Sequence, residues 1–409
     1  MGWGFSPLDE ELSLGPGAFS PYLVEGIVRL GVEIPFERVP EVLSFFTQVG
    51  IGEETARALT ERAGAALVEI ETAEVEELER EGRASVAGPA VQQLSVDGAM
   101  VPLTQGEWAE VKTLAIGTVE VDVGGEAHAR DLSYFSRLAD AQTFCRLAQG
   151  ERRGTRTAGK VCAVLDGAEW LQKFVDWHCR RAVRILDLPH AAEHLSAAAQ
   201  AVFGQGTPAV SEWLGTWLHE LGHGDPDRVL AALRTLPVGA APDPEAAGKT
   251  RDEVLAYLKK RRAQICYAEF VAAGYPIGSG MVESANKLVV EARLKGSGMH
   301  WKRANVNPML ALRTAVCSGG RWEQVWPEVW RRLRRRHNGR VCRCGALTAS
   351  TLAGRTVPPH QPAQPARSGR LTWGKRPPKG LMVNGRPTPN HPWKRAPLSR
   401  PQPESNAKL

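Results

Sequence analysis

Three acidic side chains stand where secondary-structure elements are expected to begin or end. Asp97 closes a short β-rich run, Asp166 follows an apolar run, and Glu283 opens a segment with helical spacing. Carboxylates from separate elements that converge on one point are ligands that Mg²⁺ prefers. Two such ions, about 3.5–4 Å apart, stabilise the attacking and leaving oxygens of a phosphodiester. The three residues are therefore candidate ligands of a two-metal phosphodiester-cleaving site.

The same positions also have an ordinary structural interpretation. An Asp-Gly pair after a strand, such as Asp97-Gly98 or Asp166-Gly167, is frequent in tight turns. The 116 residues that separate Asp166 from Glu283 require a large insertion between the elements that carry them. On spacing alone, both interpretations of the acidic residues stay open.

Two histidines suggest a different metal site. His190, Glu193 and His194 fit the H-x-x-E-H pattern of a class of zinc hydrolases. On a helix the two histidines share a face, and Glu269, which lies 75 residues beyond His194, is a third potential ligand. This alternative predicts a zinc hydrolase, and stoichiometric zinc that depends on both histidines would establish it.

Glycine and positive charge suggest contact with phosphate around Glu283 and further along the chain. Gly278 and Gly280 precede the expected helix, where backbone N–H groups either face a phosphate or form a tight turn. Trp301 either stacks on an exposed base or packs in a core. The residues predicted to contact DNA are Arg293, Lys295, His300, Trp301, Lys302, Arg303, Arg331, Arg332, Arg334, Arg335 and Arg336.

Charge is distributed unevenly along the 409 residues. Residues 1–90 carry 6 Lys/Arg and 17 Asp/Glu, residues 91–320 carry 26 and 25, and residues 321–409 carry 19 and 3. The basic end suits a polyanion, because each phosphate that it neutralises releases counterions. A solvated, disordered tail is the alternative explanation of this charge.

Apolar spacing predicts a mixed α/β architecture. Residues 91–103, 111–123 and 127–133 alternate or are β-branched, which indicates three antiparallel strands. Apolar runs before Asp166 and Asp187 indicate two more strands, each followed by a helix. The predicted order is three strands, helix, strand, helix, strand, helix. This order brings the first two candidate ligands to one edge of a single sheet.

Composition divides the chain into five expected segments. They are a helical module at 1–88, the first part of a catalytic domain at 89–194, a helical insertion at 195–275, the rest of the catalytic domain with basic helices at 276–345, and a tail at 346–409. The helical module suits a helix-turn-helix or a dimerisation unit. Twelve of the 28 prolines lie between 358 and 403, and the tail is therefore predicted to be disordered.

The seven cysteines have no regular spacing, which indicates reduced thiols in the cytoplasm. Cys342 and Cys344 are at most half of a zinc site, because a second cysteine pair is missing from the sequence. No stretch reaches the roughly 18 apolar residues of a membrane span, and the N-terminus lacks a signal pattern. The expected location is therefore cytoplasmic, with no membrane partner.

Several segments resemble one family of enzymes. They are VDG at 96–98, LDGAEWL at 165–171, DLPHAAEHL at 187–195, and PIGSGMVES with RLKGSGMHW between 276 and 301. In these segments the chain resembles bacterial insertion-sequence transposases of the ISKra type, which are relatives of the Mutator-like DDE transposases. The resemblance covers about residues 5–315, and its most specific part is PIGSGMVES followed by RLKGSGMHW.

The resemblance implies an RNase H-like α/β domain with a helical insertion, the fold in which the predicted element order is also expected. It implies cleavage and strand transfer at the ends of a mobile element, with two Mg²⁺ ions and Mn²⁺ as a substitute. By motif, Asp97, Asp166 and Glu283 are the catalytic acids and metal ligands. Asp187 and His190 match a D-x-x-H signature that supports the site or contacts DNA. A homodimer or larger assembly on DNA at the bacterial nucleoid is expected, because two ends must be joined.

Departures from the family pattern define an alternative function. Leu165 stands where relatives commonly have Gly, and Pro189 where they commonly have an aromatic residue. The chain begins near the segment FSPLDEELSL at 5–14, which a zinc-ribbon-like part often precedes, so a truncated DNA-binding part is one expectation. The alternative is a DNA-binding or dimerising protein that has lost catalysis.

Overall fold

The computed structural model describes residues 19–81, 87–148 and 154–352, together with 382–383 and 386–387, and it describes side chains as far as residue 336. Contacts divide the chain into a unit that ends at Ser350 and a second unit that begins at Thr351. All of the sites predicted from the sequence, except Cys342 and Cys344, lie among the described side chains.

A five-stranded mixed sheet forms the centre of the first unit, which confirms the predicted α/β class. The strands are β1 (Val91–Pro102), β2 (Trp108–Val121), β3 (Ala127–Arg137), β4 (Lys160–Leu165) and β5 (Val183–Leu186). They lie in the order β3-β2-β1-β4-β5. The first three strands are antiparallel neighbours, whereas β4 and β5 run parallel to β1.

β1 extends further than the sequence predicts. Asp97 was expected at the end of the strand, but it pairs with Thr113 on β2, and the ladder continues through Gly98 and Lys112 to Pro102. The parallel pairing with β4 stops earlier, at Leu94. Asp97 therefore lies in the middle of a strand, at the point where one of its two neighbouring strands has ended.

Helices cover both faces of the sheet. They are α4 (Ala141–Leu147), α5 (Glu169–Cys179) and α6 (Leu188–Phe203). Along β4, Cys162 and Val164 pack in the core that includes α6, and Ala163 and Leu165 pack in the core that includes α4 and α5. A strand that is buried on both faces has a continuous apolar sequence, which explains the run before Asp166.

The region from 195 to 275 is helical, as predicted. After α6 it contains α7 (Pro208–His223), α8 (Pro226–Arg234), α9 (Pro244–Lys260) and α10 (Tyr267–Ala272). The helices α7, α8 and α9 each begin with Pro, which suits the first turn because its missing N–H has no partner there. Asp225 and Asp243 cap α8 and α9 by accepting backbone N–H groups. These helices share a core with α6 and one face of the sheet.

The first and last helices of this unit contribute to two cores, the second of which also contains residues of β1 and β2. The helices are α1 (Pro21–Glu33), α2 (Val39–Thr47) and α3 (Glu53–Glu81), then α11 (Gly280–Ala285), α12 (Ala292–Leu294), α13 (Arg303–Cys317) and α14 (Arg321–Leu352). Apolar residues of α1 and α3 pack with Leu312 and Ala315 of α13 and with Trp322 and Trp326 of α14. The predicted helical module is thus built onto the C-terminal helices of the same unit.

Little of the second unit is described. β6 (Met382–Val383) pairs antiparallel with β7 (Arg386–Pro387). The predicted disorder of residues 346–409 otherwise falls outside the described residues, apart from the end of α14 at Leu352. Among the helices of the described ranges, none combines the length and the apolar composition needed to cross a bilayer.

Candidate metal centre

The parallel pairing of β1 with β4 brings Asp97 and Asp166 to the same level of the sheet. The last residues in this pairing are Leu94 and Ala163, and each aspartate lies three residues further along its own segment. Neighbouring strands lie about 4.8 Å apart. The two residues therefore follow the end of this pairing by the same number of positions, although 68 residues of sequence lie between them.

Glu283 lies on α11, and α11 packs against β1, which carries Asp97, and against β2. Burial raises the pKa of Asp97, and the negative charges of Asp166 and Glu283 raise it further. Hydrogen bonds from Gly98 and Asn286 act in the opposite direction. Asn286, three residues after Glu283, contacts Asp97 directly, so the segments that carry the three acids (the acidic cluster) lie near one another, with Asp97 and Asp166 half-buried and Glu283 exposed.

Local hydrogen bonds orient the second and third acids. The N–H of Ala168 donates to Asp166 Oδ1 at 2.8 Å, and Ser279 Oγ donates to Glu283 Oε1 at 3.4 Å. In the described part of the chain, no hydrogen bond engages Asp166 Oδ2. Each of these two carboxylates is thus held through one oxygen, which leaves the other available to a cation.

The donor set fits a pair of divalent ions. Mg²⁺ takes hard carboxylate oxygens and keeps several waters as further ligands. Among the described residues, the ligand atoms of these three acids do not all lie within 4.8 Å of one another, which is the spacing expected around a single ion. Two ions about 3.5–4 Å apart, with bonds near 2.1 Å, separate their outer ligand atoms by up to roughly 8 Å. The carboxylate oxygens of Asp97, Asp166 and Glu283 have the chemistry that Mg²⁺ prefers, and these are the residues that would hold such ions.

Asn286 belongs to the site although no sequence motif predicts it. It opens a π-helical turn (Asn286–Glu291) three residues after Glu283, and its side chain is buried. Its Nδ2 donates to Asp97 Oδ2 at 2.9 Å, while Gly98 N–H donates to Asp97 Oδ1 at 2.7 Å. Both oxygens of Asp97 are therefore oriented. π-Helical turns inside α-helices are frequent at functional sites.

Replacement of Asn286 by Leu is expected to weaken Mn²⁺ binding by about 10- to 100-fold, the usual cost of losing a group that orients a metal ligand. Titration of the purified protein with Mn²⁺ measures the effect. Asn305→Leu is the matched control, because Asn305 also donates to a carboxylate, Glu61, at 2.6 Å away from the acidic cluster. Equal Mn²⁺ affinity of wild type and Asn286→Leu would show that Asn286 does not orient Asp97.

Asp187 connects three elements around the acidic cluster. It caps α6 by accepting the N–H of His190 at 3.2 Å, and it accepts the N–H of Ser279, just before α11, at 2.7 Å. Its own N–H donates to Leu165 O at the end of β4, at 2.8 Å. The buried aspartate of the D-x-x-H signature therefore positions the segments that carry Asp166 and Glu283.

The histidines of the H-x-x-E-H pattern share a face of α6. Their rings are in edge contact with centroids 4.9 Å apart, and His194 stacks on Tyr257 at 4.0 Å. Burial, and then the charge of His190, lower the pKa of His194. Glu269 is exposed on α10, and among the described residues no group of three potential metal ligands includes either histidine. The zinc hypothesis lacks its third ligand in this arrangement.

Two residues predicted to contact DNA are buried, and those predictions are wrong. Arg293 is 2% exposed and Trp301 is 7% exposed. Arg293 Nε donates to Gly31 O near the end of α1 at 3.1 Å, and its guanidinium lies over the rings of Phe36 and Trp301. Burial lowers the pKa of Arg293 to about 10. Trp301 Nε1 donates to Leu294 O at 3.1 Å. Both side chains join the N-terminal helices to the segment that follows Glu283.

The other cations of this segment are on the surface. Lys295, His300, Lys302 and Arg303 are exposed. Lys295 pairs with Glu291 at 2.7 Å. Lys302 and Arg303 lie at the start of α13 and remain the strongest candidates for phosphate contact near Glu283.

Among the described arginines predicted to contact DNA from α14, Arg331, Arg335 and Arg336 are exposed and Arg332 and Arg334 are half-buried, and several pair with acids of the same unit. Arg331 pairs with Glu328, and Arg332 and Arg336 approach Glu69 on α3 at 3.6 and 2.5 Å. A surface hollow of about 270 Å³ is lined by Pro327, Trp330, Arg331, Arg334 and Arg335. Internal pairing thus neutralises part of the positive charge that the sequence assigns to DNA contact.

The Gly-rich segment before α11 makes hydrogen bonds to other segments of the protein. The N–H of Ser279, between Gly278 and Gly280, donates to Asp187, and Gly278 O accepts from Gln93 Nε2 at 3.4 Å. α11 has six residues. A phosphate cradle would need free N–H groups here, so the simpler interpretation, a turn that leads into α11, fits these contacts better.

A second group of potential metal ligands lies on the hairpin between β2 and β3. It consists of Asp122, Glu126 and His128, whose ligand atoms lie within 4.8 Å of one another. Asp122 already accepts the N–H groups of Gly124 and Glu126 at 2.8 and 2.9 Å, and it pairs with His128 at 3.0 Å. The hairpin turn itself explains this exposed group.

No protein-family model matches the sequence, and no curated protein matches it either.

Proposed function

We propose that this protein is a DDE-type DNA transposase that cleaves and joins the ends of a mobile element with two Mg²⁺ ions. The observation that supports the proposal is the convergence of three segments around Asp97: β4, which pairs with β1 and is followed by Asp166, α11, which carries Glu283 and packs against β1, and Asn286, which donates to Asp97. The three acids come from a strand, the end of another strand and a helix beyond an insertion. They are also the acids that the transposase-like motifs single out.

The sheet supports an RNase H-like assignment of the fold. In the order β3-β2-β1-β4-β5, three antiparallel strands are followed by two parallel ones. The first acid lies on β1 in the centre of the sheet, and the second follows its parallel neighbour β4. The helices between 195 and 275 stand between the second and third acids, as an insertion in such a domain would.

The residues of the proposed site would have different roles. Asp97 and Asp166 would hold both ions, and Glu283 would complete the second. When bound, Mg²⁺ supplies positive charge that stabilises the attacking and leaving oxygens of the phosphodiester. Asn286 and Gly98 hold the orientation of Asp97. No covalent protein–DNA intermediate is needed, so no Ser or Tyr is assigned as a nucleophile.

Two DNA ends must meet in such a reaction, so we propose a dimer or larger assembly. Exposed Lys302 and Arg303, which follow the Glu283 segment, are the proposed phosphate contacts, with exposed Arg335 on α14 as a further one. The cations that pair with Glu69 or Glu291 are weaker candidates, because DNA has to displace an internal partner.

Charge reversal at Lys302 and Arg303 is expected to weaken DNA binding and to lower the slope of log affinity against log salt by about 1.8, since each phosphate contact contributes roughly 0.9. Fluorescence anisotropy with duplex DNA over a range of salt concentrations measures the slope. The same double reversal at exposed Lys249 and Lys259 on α9 changes net charge equally and should leave the slope close to the wild-type value. An unchanged slope in the first variant would remove these residues from the DNA-binding surface.

The experiment that tests the function uses DNA that carries the sequences flanking the coding region on both sides. Incubation with Mg²⁺ or Mn²⁺ should produce cuts that depend on the acidic cluster, followed by joining of the released 3′ ends to a target plasmid. DNA binding without cutting under any of these conditions would favour the alternative of a DNA-binding or dimerising protein. Cutting that survives Asp97→Asn would contradict the proposed site.

A further inference from the structure

One helix of the insertion contacts the backbone of the turn that carries Asp166. Tyr257 Oη, on α9, donates to Asp166 O at 2.7 Å. Arg261, directly after α9, donates from Nε and Nη2 to Gly167 O at 3.1 and 2.5 Å. Two consecutive carbonyls at the end of β4 are therefore bound by side chains that lie more than 90 residues away in sequence.

Arg261 and Tyr257 form one packed unit. The guanidinium lies 3.8 Å from the centre of the Tyr257 ring, and Nη1 donates to Tyr257 O at 3.2 Å. Arg261 is 7% exposed, and the other face of the ring is occupied by His194 of α6 at 4.0 Å. All three nitrogens of the buried Arg261 guanidinium donate hydrogen bonds. The orientation of the group is therefore fixed, and its planar shape keeps the loss of conformational entropy per hydrogen bond small.

Gly167 is required for this contact. It has φ +84°, a left-handed conformation that residues with a side chain adopt with difficulty. A Cβ at this position would lie 2.4 Å from Tyr257 Oη and 2.7 Å from Arg261 Nε. The Asp166-Gly167 pair is therefore a turn fitted against α9, which the tight-turn interpretation of the sequence does not include.

We propose that Tyr257 and Arg261 are positioning residues, through which the helical insertion sets the place of the Asp166 carboxylate. This inference rests on the proposed function, because it assigns Asp166 as a metal ligand. The carboxylate itself is held through Oδ1 by the N–H of Ala168, two residues along the same turn. The direction of the carboxylate thus follows the backbone of the turn, and α9 fixes that backbone.

The test is Mn²⁺ binding to the purified full chain. Tyr257→Phe removes one hydroxyl and leaves the ring in place, and Arg261→Lys keeps the charge but loses the fork. Both are expected to weaken Mn²⁺ binding by about 10- to 100-fold, the range found when the support of a metal ligand is removed. Arg262→Lys is the matched control, because the neighbouring Arg262 pairs with Asp227 at the surface, at 2.9 Å, and it should bind Mn²⁺ like wild type.

A second readout separates positioning from general stability. Cleavage by Tyr257→Phe should recover as Mn²⁺ is raised to saturation, measured at a temperature at which the metal-free variant is fully folded, so that the recovery reports metal affinity and not stabilisation by the bound ion. If Arg261→Lys lowers the unfolding midpoint, Tyr257→Phe still tests the inference, because it removes only the bond to Asp166 O.

The outcomes distinguish this inference from the proposed function. Wild-type protein that binds Mn²⁺, loses it in Asp166→Asn and keeps full affinity in Tyr257→Phe and Arg261→Lys would overturn the positioning role and leave the function standing. Wild-type protein whose Mn²⁺ binding is unaffected by Asp166→Asn would overturn the assignment of Asp166, and both proposals with it.

Discussion

Replacing Asp97 or Asp166 by Asn, or Glu283 by Gln, is expected to lower the rate of metal-dependent DNA cleavage at least about a thousandfold. Each carboxylate would hold an ion that contributes several kcal/mol of charge stabilisation in the transition state, and 1.36 kcal/mol corresponds to a factor of ten. Single-turnover cleavage of DNA that carries the flanking sequences measures the rate. The substitutions keep the size of each side chain, so that packing around half-buried Asp97 and Asp166 is preserved.

Glu193→Gln is the control for this experiment and also separates the two metal hypotheses. Glu193 lies 3.6 Å from His190 in the H-x-x-E-H pattern and is the expected general base of a zinc hydrolase. A transposase that uses the acidic triad should keep most of its activity in Glu193→Gln. Loss of cleavage in Glu193→Gln together with normal cleavage in Asp97→Asn would reverse the assignment.

The second large effect concerns stability. Glu71 on α3 is buried and pairs with Arg137 at the end of β3 and with Arg321 at the start of α14, the latter at 2.5 Å. Replacement of Glu71 by Ala leaves two arginines without this acid, and Arg137 is itself buried. Breaking a buried ion pair from one side costs about 3–5 kcal/mol. Urea unfolding of Glu71→Ala is therefore expected to show a loss of free energy of unfolding in that range.

Glu79→Ala is the matched control for Glu71→Ala. Glu79 lies two turns further along α3 and pairs with Arg146 at 2.8 Å, but both side chains are near the surface. Water can replace a lost partner there, so the unfolding curve of Glu79→Ala should overlay that of wild type. Equal unfolding curves for Glu71→Ala and Glu79→Ala would mean that the ion group does not hold α3 against the sheet.

Ion pairs between α3 and α14 explain part of the uneven distribution of charge between the two ends of the chain. The N-terminal segment is acidic and the C-terminal segment is basic. In the fold, Glu69 and Glu71 of α3 lie against Arg321, Arg332 and Arg336 of α14. Part of the basic charge therefore serves contacts within the protein. A charge count along the sequence cannot distinguish arginines that pair with acids of the same protein from arginines that bind DNA.

The sheet and most helices could be predicted from the sequence because they depend on local periodicity. Alternation marked the antiparallel strands, and a continuous apolar run marked β4. The extent of β1 could not be predicted, since an Asp-Gly pair is compatible with both a turn and a strand. Gly98 continues the ladder because β2 supplies a partner residue, Lys112.

Sequence motifs point to three candidate acids and to Asp187 as a supporting residue, whereas Asn286 and Tyr257 could not be predicted. Asp97, Asp166 and Glu283 stand at element positions that motifs recognise. Asn286 and Tyr257 act through contacts across 189 and 91 residues, which have no local signature. Residue type also failed to separate buried from exposed cations. Arg293 belongs to a basic segment of the kind that contacts DNA. Its side chain is nevertheless buried and donates to Gly31 O of α1.

The proposed function requires that Asp97, Asp166 and Glu283 bind divalent metal together. The most direct test is a titration of the purified protein with Mn²⁺, in which electron paramagnetic resonance measures the free ion. Wild-type protein should bind Mn²⁺ in competition with Mg²⁺, and each of Asp97→Asn, Asp166→Asn and Glu283→Gln should weaken or abolish that binding while Glu193→Gln retains it. Binding that is the same in wild type and in all three acid variants would contradict this requirement.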